Sequence, residues 1–145
     1  MSADPRTLGW LNRALAHELS AVQQLLAQSV LARRWGDEAL SKGLRHEATE
    51  ELAHAELLME RLILMGVSPA AQPLSVARLG RNADELLLAN RGLELEAIRI
   101  YKEALLHANR VRDTETASLM ASILDEEKQH LVQLDAVIQG KSRSG

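Results

Sequence analysis

Six ionisable residues interrupt stripes of Leu, Ala, Ile and Val that recur at helical spacing along the chain. They are two single glutamates and two Glu-x-x-His pairs: Glu18, Glu94, Glu51/His54 and Glu127/His130. Residues three apart on a helix lie about one turn apart on one face, so each pair presents a carboxylate and an imidazole together. The chain has no Cys. Oxygen and imidazole ligands without sulfur suit iron, manganese or zinc.

The six positions repeat with a single offset. Adding 76 to Glu18, Glu51 and His54 gives Glu94, Glu127 and His130. The chain therefore looks like two copies of a helix hairpin, each carrying half of a site. Four ionised carboxylates in a dry core would repel one another and lose their hydration. Because two divalent cations would neutralise the four charges, we predict a dinuclear site.

Iron is the metal we expect, with manganese or zinc as substitutes. Carboxylate-rich dinuclear sites inside helical bundles are typical of iron and manganese chemistry. The competing interpretation is a metal-free structural bundle. One Glu or His on a helix seam is more often an edge residue whose polar end reaches solvent, and Glu-x-x-His arises by chance in a Glu-rich chain. Six such residues in four stripes with one offset favour the metal site.

Four long helices have to position these residues. Asp or Asn caps precede each predicted helix, and Gly36 and Gly66 follow the first two. Asn82 and Glu85 have the spacing of a capping box. The predicted helices run over about 5–35, 38–65, 83–111 and 114–139, with a Pro-containing crossover over 66–82. Short first and third connections predict two antiparallel hairpins, so the fold class is an all-α four-helix bundle formed by residues 1–145 as a single domain.

Composition excludes several other classes of protein. A chain of 145 residues is enough for one domain with a sizeable core. The net charge is −3 and the basic residues are scattered, so a nucleic-acid partner is not expected. No apolar run approaches the length of a membrane span, and the N-terminus lacks the layout of a signal peptide. We therefore expect a cytoplasmic protein.

The six residues and the segments around them resemble bacterioferritin over nearly the whole chain. The matching segments are LNRALAHELSAVQQ, RRWGDEAL, HAELLMERLILMG and ILDEEKQH. The resemblance implies a ferritin-like fold and a ferroxidase centre at the six residues, where oxygen or peroxide oxidises Fe(II). It also implies storage of Fe(III) in a homo-oligomeric shell of two dozen subunits, alone or mixed with haem-binding subunits. His46 and Glu50 are implied to assist iron passage; the alternative for this pair is an exposed polar helix face.

Three positions depart from the pattern of that family. Leu52 stands where haem-binding members carry the Met that ligates haem, so haem is not expected. Leu25 stands where the family usually has a Tyr near the metals. The single tyrosine, Tyr101, is two turns after Glu94 and should point toward the site, with plain core packing as the alternative.

The chain ends before the short fifth helix that lines channels in the shell of that family. The difference concerns the expected shell and iron storage more than the six residues of the dinuclear site. It leaves open a non-storing di-iron oxidase or peroxidase resembling the bundle domain of rubrerythrin.

Overall fold

The computed structural model describes residues 3–70 and 73–144, with side chains up to Lys141. Its helices are α1 (Pro5–Arg34), α2 (Glu38–Leu64), α3 (Ala83–Arg110) and α4 (Thr114–Ser144). The described ranges contain no strand, and the predicted all-α class is confirmed. No helix within those ranges is long and apolar enough to cross a membrane.

The end of α4 differs from the sequence prediction. The helix continues to Ser144, past the predicted end at about residue 139, and contains Gly140. A glycine inside a helix costs only about 1 kcal/mol relative to alanine, so it does not by itself terminate one. Lys141 also lies 4.0 Å from the Asp84 carboxylate of α3, in an ion pair on the surface.

Side-chain caps begin all four helices. The carboxylates of Asp4, Asp37 and Asp113 and the amide oxygen of Asn82 each accept a backbone N–H three residues later. The expected capping box at Asn82 is only half formed, because Glu85 accepts the backbone N–H of Arg81 at 2.8 Å instead of that of Asn82. The Arg81 guanidinium draws the Glu85 carboxylate to this position, with an Nη2–Oε1 distance of 2.8 Å.

Polar contacts between the helices define the direction of each pair. Within the first hairpin, the Ser29 and Ser41 hydroxyls are 3.0 Å apart near the connection, and Glu18 meets His54 further away. Within the second hairpin, Arg91 meets Asp135 at 2.7 Å, and Glu94 lies 3.9 Å from His130. In each hairpin, higher residue numbers on one helix meet lower numbers on the other, so both are antiparallel.

The two hairpins also run antiparallel where they face each other. Polar contacts between the first and third helices include Gln24–Asn90 and, from the N-cap of α1, Asp4–His107. Those between α2 and α4 include Glu50–His130 and Arg61–Thr116. The crossover runs along α1, where Ser20 and Gln24 side chains accept backbone N–H groups of Ser75 and Arg78, each at 3.0 Å. These contacts anchor the segment that joins the hairpins.

The apolar core consists of two clusters. The larger is centred on Leu15, Leu58, Tyr101 and Met120, and the smaller joins residues including Leu25, Leu44, Ala48 and Leu86. On every helix, the ionisable residues singled out above lie between the positions that contribute to the two clusters. The bundle therefore contains an acidic layer that crosses all four helices and is enclosed by apolar side chains on both sides.

Spacings of three and four residues place Val137 of the fourth helix and Glu47 of the second on the predicted core faces, and the structure buries neither. Val137 is 52% exposed, and its neighbour Ile138 packs against the smaller cluster instead. Glu47, which interrupts the predicted stripe of α2, is exposed. Both residues lie at the border of the buried face of their helix. At such a position a small rotation of the helix decides whether this side chain or its neighbour in the sequence is buried.

Candidate metal centre

The structure brings the six predicted residues into one layer of the bundle. Glu18 on α1 and Glu51, His54 and Glu127 on α2 and α4 are buried, while Glu94 and His130 retain slight exposure. The carboxylates of Glu51 and Glu127 are each within reach of both imidazoles.

Two overlapping sets of ligand atoms are formed. The first set is Glu18, Glu51, His54 and Glu127, and the second is Glu51, Glu94, Glu127 and His130. Within each set, one ligand atom from every residue lies within 4.8 Å of the others. Glu51 and Glu127 belong to both sets, so each would be available to both metal ions if the two sets were filled. Glu18 and Glu94 belong to one set each, as terminal ligands would.

The two imidazoles point the same ring nitrogen into the layer. His54 Nδ1 lies 3.2 Å from Glu18 Oε2 and 3.0 Å from Glu127 Oε1. His130 Nδ1 lies 3.3 Å from Glu51 Oε1 and 3.9 Å from Glu94 Oε1. The rings are stacked, with centroids 6.3 Å apart and planes 22° from parallel. The pseudo-two-fold relation expected from the offset is thus present in the geometry.

The carboxylates are a good fit to metal ions because several of their oxygens have no other partner. Glu18 Oε1, Glu94 Oε2 and Glu127 Oε1 are buried and accept no hydrogen bond of good geometry within the described residues, although His54 Nδ1 approaches Glu127 Oε1 to 3.0 Å. Leaving a buried acceptor without a partner costs about 1–3 kcal/mol, and more for a charged group. Metal ions bound in this layer would give the three oxygens a partner, so the layer fits a metal site.

Without metal, protons compensate the charge of the layer. Burial raises the pKa of Glu18 well above its usual range, and burial with the neighbouring Glu127 raises the pKa of Glu94 to about 11. The hydrogen bond to Glu51 raises the pKa of His130 to about 9. Burial opposes protonation of His54, but the carboxylates of Glu127 and Glu18 outweigh it and raise its pKa strongly.

Glu51 behaves oppositely to the terminal glutamates. Burial by itself would raise its pKa, but hydrogen bonds with His130 and His54 outweigh burial and hold the pKa below its usual range. Glu51 is therefore held ionised between the two imidazole rings, and the raised pKa values of Glu18 and Glu94 favour protons on those two carboxyls. Bound protons thus reduce the negative charge of the layer in the absence of metal cations.

The pair proposed to assist iron passage lies beside the layer. His46 has a side chain that is 77% exposed and lies 3.4 Å from Glu50. Glu50 in turn contacts His130 Nε2 at 3.1 Å. Neither residue belongs to the two ligand sets. A cavity of about 290 Å³ reaches Glu94 and His130 from the side of Leu25 and Glu50.

Sequence reasoning missed Glu126. Its carboxylate contacts His54 Nε2 from the opposite hairpin, on the outer side of the ring. The repeat offset was the available signal, since adding 76 to Glu50 gives Glu126. The mirror contact of Glu50 with His130 was missed for the same reason.

The three departures noted in the sequence have distinct surroundings. Tyr101 is fully buried, and its hydroxyl has no hydrogen-bond partner within the described residues. Burial, followed by the charges of Glu18 and Glu127, raises the pKa of this hydroxyl well above its usual range. Leu25 is buried in the smaller core cluster, and Leu52 is 43% exposed on α2. The prediction that Tyr101 faces the site agrees with these electrostatic neighbours.

Comparison with known proteins identifies the family. The Ferritin-like domain matches residues 9–143. A bacterioferritin of Mycolicibacterium paratuberculosis is 30% identical over 145 residues, covering 100% of this chain and 91% of the relative. The chain belongs to the bacterioferritin family of ferritin-like proteins.

Other bacterioferritins match at similar levels. The protein of Streptomyces coelicolor is 32% identical over 135 residues, covering 93% of this chain and 81% of the relative. The protein of Rhodobacter capsulatus is 29% identical over 145 residues, covering 100% and 90%. The resemblance to bacterioferritins and the ferritin-like fold are therefore confirmed, and the acidic layer lies within the matched domain.

Proposed function

We propose that this protein oxidises Fe(II) and stores the resulting Fe(III), as a ferroxidase subunit of the bacterioferritin type that works in the cytoplasm. The observation that carries the proposal is the pair of overlapping ligand sets that share Glu51 and Glu127. Iron is the substrate as well as the cargo. The family supports iron, since the relatives are bacterioferritins.

The chemistry needs two electrons at one place. Two Fe(II) ions give one electron each to dioxygen, which takes up two protons and leaves as hydrogen peroxide. With peroxide as oxidant, two Fe(II) ions and two protons yield two water molecules. Carboxylates favour the ferric over the ferrous state because hard anionic oxygens stabilise the higher charge. Glu18, Glu94 and the shared glutamates supply that preference.

The residues around the layer suit entry and exit of ions. Glu50 lies between the exposed His46 and the inner His130, which supports a path for cations along this face of α2. The cavity beside Glu94 and His130 offers space for a small oxidant. The apolar clusters above and below exclude bulk water from the layer.

Assembly into a homo-oligomer, up to a shell of 24 subunits, is part of the proposal. Several large apolar side chains are exposed on α1 and on the crossover that runs along it, and such a patch marks a protein interface. They are Leu26, Val30, Leu74, Val76 and Leu79. Leu52 is an aliphatic residue that cannot ligate iron, so subunits of this chain alone are proposed to lack haem, and mixing with haem-binding subunits would supply it.

Quantified iron binding tests the function. Metal-free protein titrated with Fe(II) under anaerobic conditions should bind about two ions per chain tightly, and oxygen or peroxide should then oxidise them in a fast phase. Less than one tightly bound ion per chain would contradict the proposal. Size-exclusion chromatography with light scattering on iron-loaded protein distinguishes a storing shell from a small, non-storing oxidase, because a mineral requires a closed oligomer.

A further inference from the structure

The cavity of about 290 Å³ beside the acidic layer has walls made mainly of leucine. The leucines that line it are Leu25, Leu40, Leu44, Leu87, Leu93 and Leu134. Its lining residues on α1 and α3 are buried or half-buried, whereas Gly43 on α2 and Gln133 and Val137 on α4 are exposed. The cavity therefore opens between α2 and α4 and ends against α1 and α3.

One amide on the inner wall lacks a hydrogen-bond acceptor. Asn90 of α3 lines the cavity and is only 4% exposed, and its Nδ2 has no hydrogen-bond partner within the described residues. Leaving a buried donor without a partner destabilises a fold, so such groups are rare in proteins. A metal ion cannot satisfy this group, because an amide N–H is a donor and has no lone pair to offer. The cavity therefore requires an acceptor atom of its own.

The orientation of that amide is fixed by a chain of two hydrogen bonds from the crossover. The backbone N–H of Arg78 donates to Gln24 Oε1 at 3.0 Å. The other end of the Gln24 amide is thus its NH₂ group, which donates to Asn90 Oδ1 at 3.0 Å. Since a backbone N–H can only donate, neither side-chain amide can be turned over without losing both bonds. Nδ2 is consequently the end of the Asn90 amide that remains for a ligand in the cavity.

Size and polarity select the kind of ligand. An apolar cavity of roughly 150 Å³ is enough to hold a benzene ring, so this cavity has room for a six-membered ring with a substituent. Water could bind Asn90, but further water molecules against the leucines would lack polar partners. Glu47, Glu50 and Glu94 also line the cavity, and their carboxylates oppose entry of an anion. The best match is a neutral ring that carries one acceptor oxygen.

We propose that the cavity between α2 and α4 binds a small neutral phenol, with the ring against the leucines and the hydroxyl oxygen accepting a hydrogen bond from Asn90 Nδ2. This site does not depend on the proposed iron chemistry, because its walls and its donor are present without metal. Glu94 and His130 also line the cavity, and their side chains are 13% and 16% exposed. A bound phenol would therefore shield this half of the acidic layer from water.

Fluorine nuclear magnetic resonance on metal-free, full-length protein tests the site with three probes. The probes are 4-fluorophenol, fluorobenzene, which lacks the hydroxyl, and 4-fluorobenzoate, which is an anion. The phenol should bind saturably at one site per chain with a dissociation constant of about 1 mM or lower. Fluorobenzene should bind about 3–10-fold more weakly, the effect of one hydrogen bond between neutral groups. The benzoate should show no saturable binding in the same concentration range.

Two variants locate the binding. Leu134→Phe places a larger side chain in the cavity and should abolish binding of both neutral probes. Leu95→Phe is the matched control, since Leu95 is 44% exposed on α3 and does not line the cavity. Asn90→Leu removes the donor at similar side-chain size, so it should weaken 4-fluorophenol binding to the level of fluorobenzene while fluorobenzene binding is retained. Urea unfolding of each variant establishes that the protein titrated is folded.

The outcomes separate this site from the metal site. Absence of saturable binding by either neutral probe to wild-type protein would overturn the proposal and indicate a cavity that holds water alone. Equal affinities of wild-type protein for 4-fluorophenol and fluorobenzene would overturn the role of Asn90, as would benzoate binding as tight as that of the phenol. Equal binding in Leu134→Phe and Leu95→Phe would place the probe elsewhere and also overturn it. None of these results depends on iron, so the proposed ferroxidase function stands or falls separately.

Discussion

Metal binding to this protein should release about four protons per chain at pH 7. In the metal-free protein the raised pKa values of His54, His130, Glu18 and Glu94 leave one proton on each of these groups at that pH. A metal ion requires a free Nδ1 lone pair and an ionised carboxylate, so each proton must leave when two ions bind. Each ion then displaces about two protons, one from a histidine and one from a glutamate.

The size of the pH effect follows from that number. Release of about two protons per ion changes the apparent dissociation constant about 100-fold per pH unit, equivalent to about 2.7 kcal/mol. Affinity should rise with pH, because the protons that compete with the metal become scarcer. The steep dependence should hold between about pH 6 and 8, since the pKa of His130 is about 9 and that of Glu94 about 11.

Calorimetric titration with Zn(II) measures this release. Repeating the titration in buffers of different ionisation enthalpy gives the number of protons that each ion displaces. Glu94→Ala should reduce the total by about one, and Glu56→Ala, an exposed control on α2, should leave it unchanged. Release of fewer than about two protons for two ions, or an affinity that is flat between about pH 6 and 8, would refute the reasoning.

The raised pKa values also predict how the stability of the metal-free protein depends on pH. The pKa of His130 is about 9 in the folded protein and 6.5 ordinarily, so its stabilising contribution is complete below pH 6.5 and is lost as pH rises through 9. The pKa of Glu94 rises from 4.5 to about 11, so the folded state again loses relative stability as pH increases between these values. Metal-free protein should therefore unfold at lower urea concentration at pH 9 than at pH 6. Two bound zinc ions should reverse this order.

Four substitutions extend the tests to single residues. Glu127→Ala should abolish the fast phase of iron oxidation, because Glu127 belongs to both ligand sets; an unchanged fast phase in stopped-flow absorbance would contradict the site. Tyr101→Phe should leave the unfolding free energy of metal-free protein within about 1 kcal/mol of wild type, since the buried hydroxyl has no hydrogen-bond partner within the described residues. If the same variant also oxidises iron at the wild-type rate, Tyr101 serves packing alone. Leu52→Met should introduce a visible haem band that is absent from wild-type protein expressed alone, provided that subunits pair across this face of α2; a haem band in the wild type would contradict the reasoning. Gly80→Ala should destabilise the protein by at least about 1 kcal/mol more than Gly36→Ala, measured by urea unfolding, because both glycines have φ of +83° but only at Gly80 would the new Cβ lie 2.7 Å from a backbone nitrogen. Equal losses in the two variants would show that the close contact is relieved.

Helix positions and the composition of the acidic layer could be predicted from local patterns. Caps such as Asp37 and Asn82 act on the backbone within one turn, so their effect depends little on the rest of the fold. Spacings of three and four residues place Glu51 and His54 on one face of any helix that contains them. The offset between Glu18 and Glu94 identified two equivalent hairpins. It therefore predicted that residues far apart in the sequence belong to one site.

Errors arose where the outcome depends on more than the periodicity of one helix. Val137 and Ile138 are both apolar and adjacent, and only the line of contact with the facing helices selects Ile138 for the core. The predicted end of α4 was too early because Gly140 lowers the stability of a helix too little to end it. Glu85 turned to Arg81 because its guanidinium is a stronger donor than a backbone N–H.

The sequence by itself determined the helices, the faces that they bury and the six residues that interrupt those faces, since helical periodicity is a property of each segment alone. Only the tertiary structure decided which carboxylate meets which nitrogen. The pairing of Glu126 with His54 and of Glu50 with His130 depends on how α2 and α4 cross and at what height they meet. Periodicity places a residue on a side of its own helix, whereas crossing geometry is set by how side chains of two helices interlock. For that reason the candidate ligands could be recognised in the sequence, while the contacts of Glu50 and Glu126 with the imidazoles were visible only in the structure.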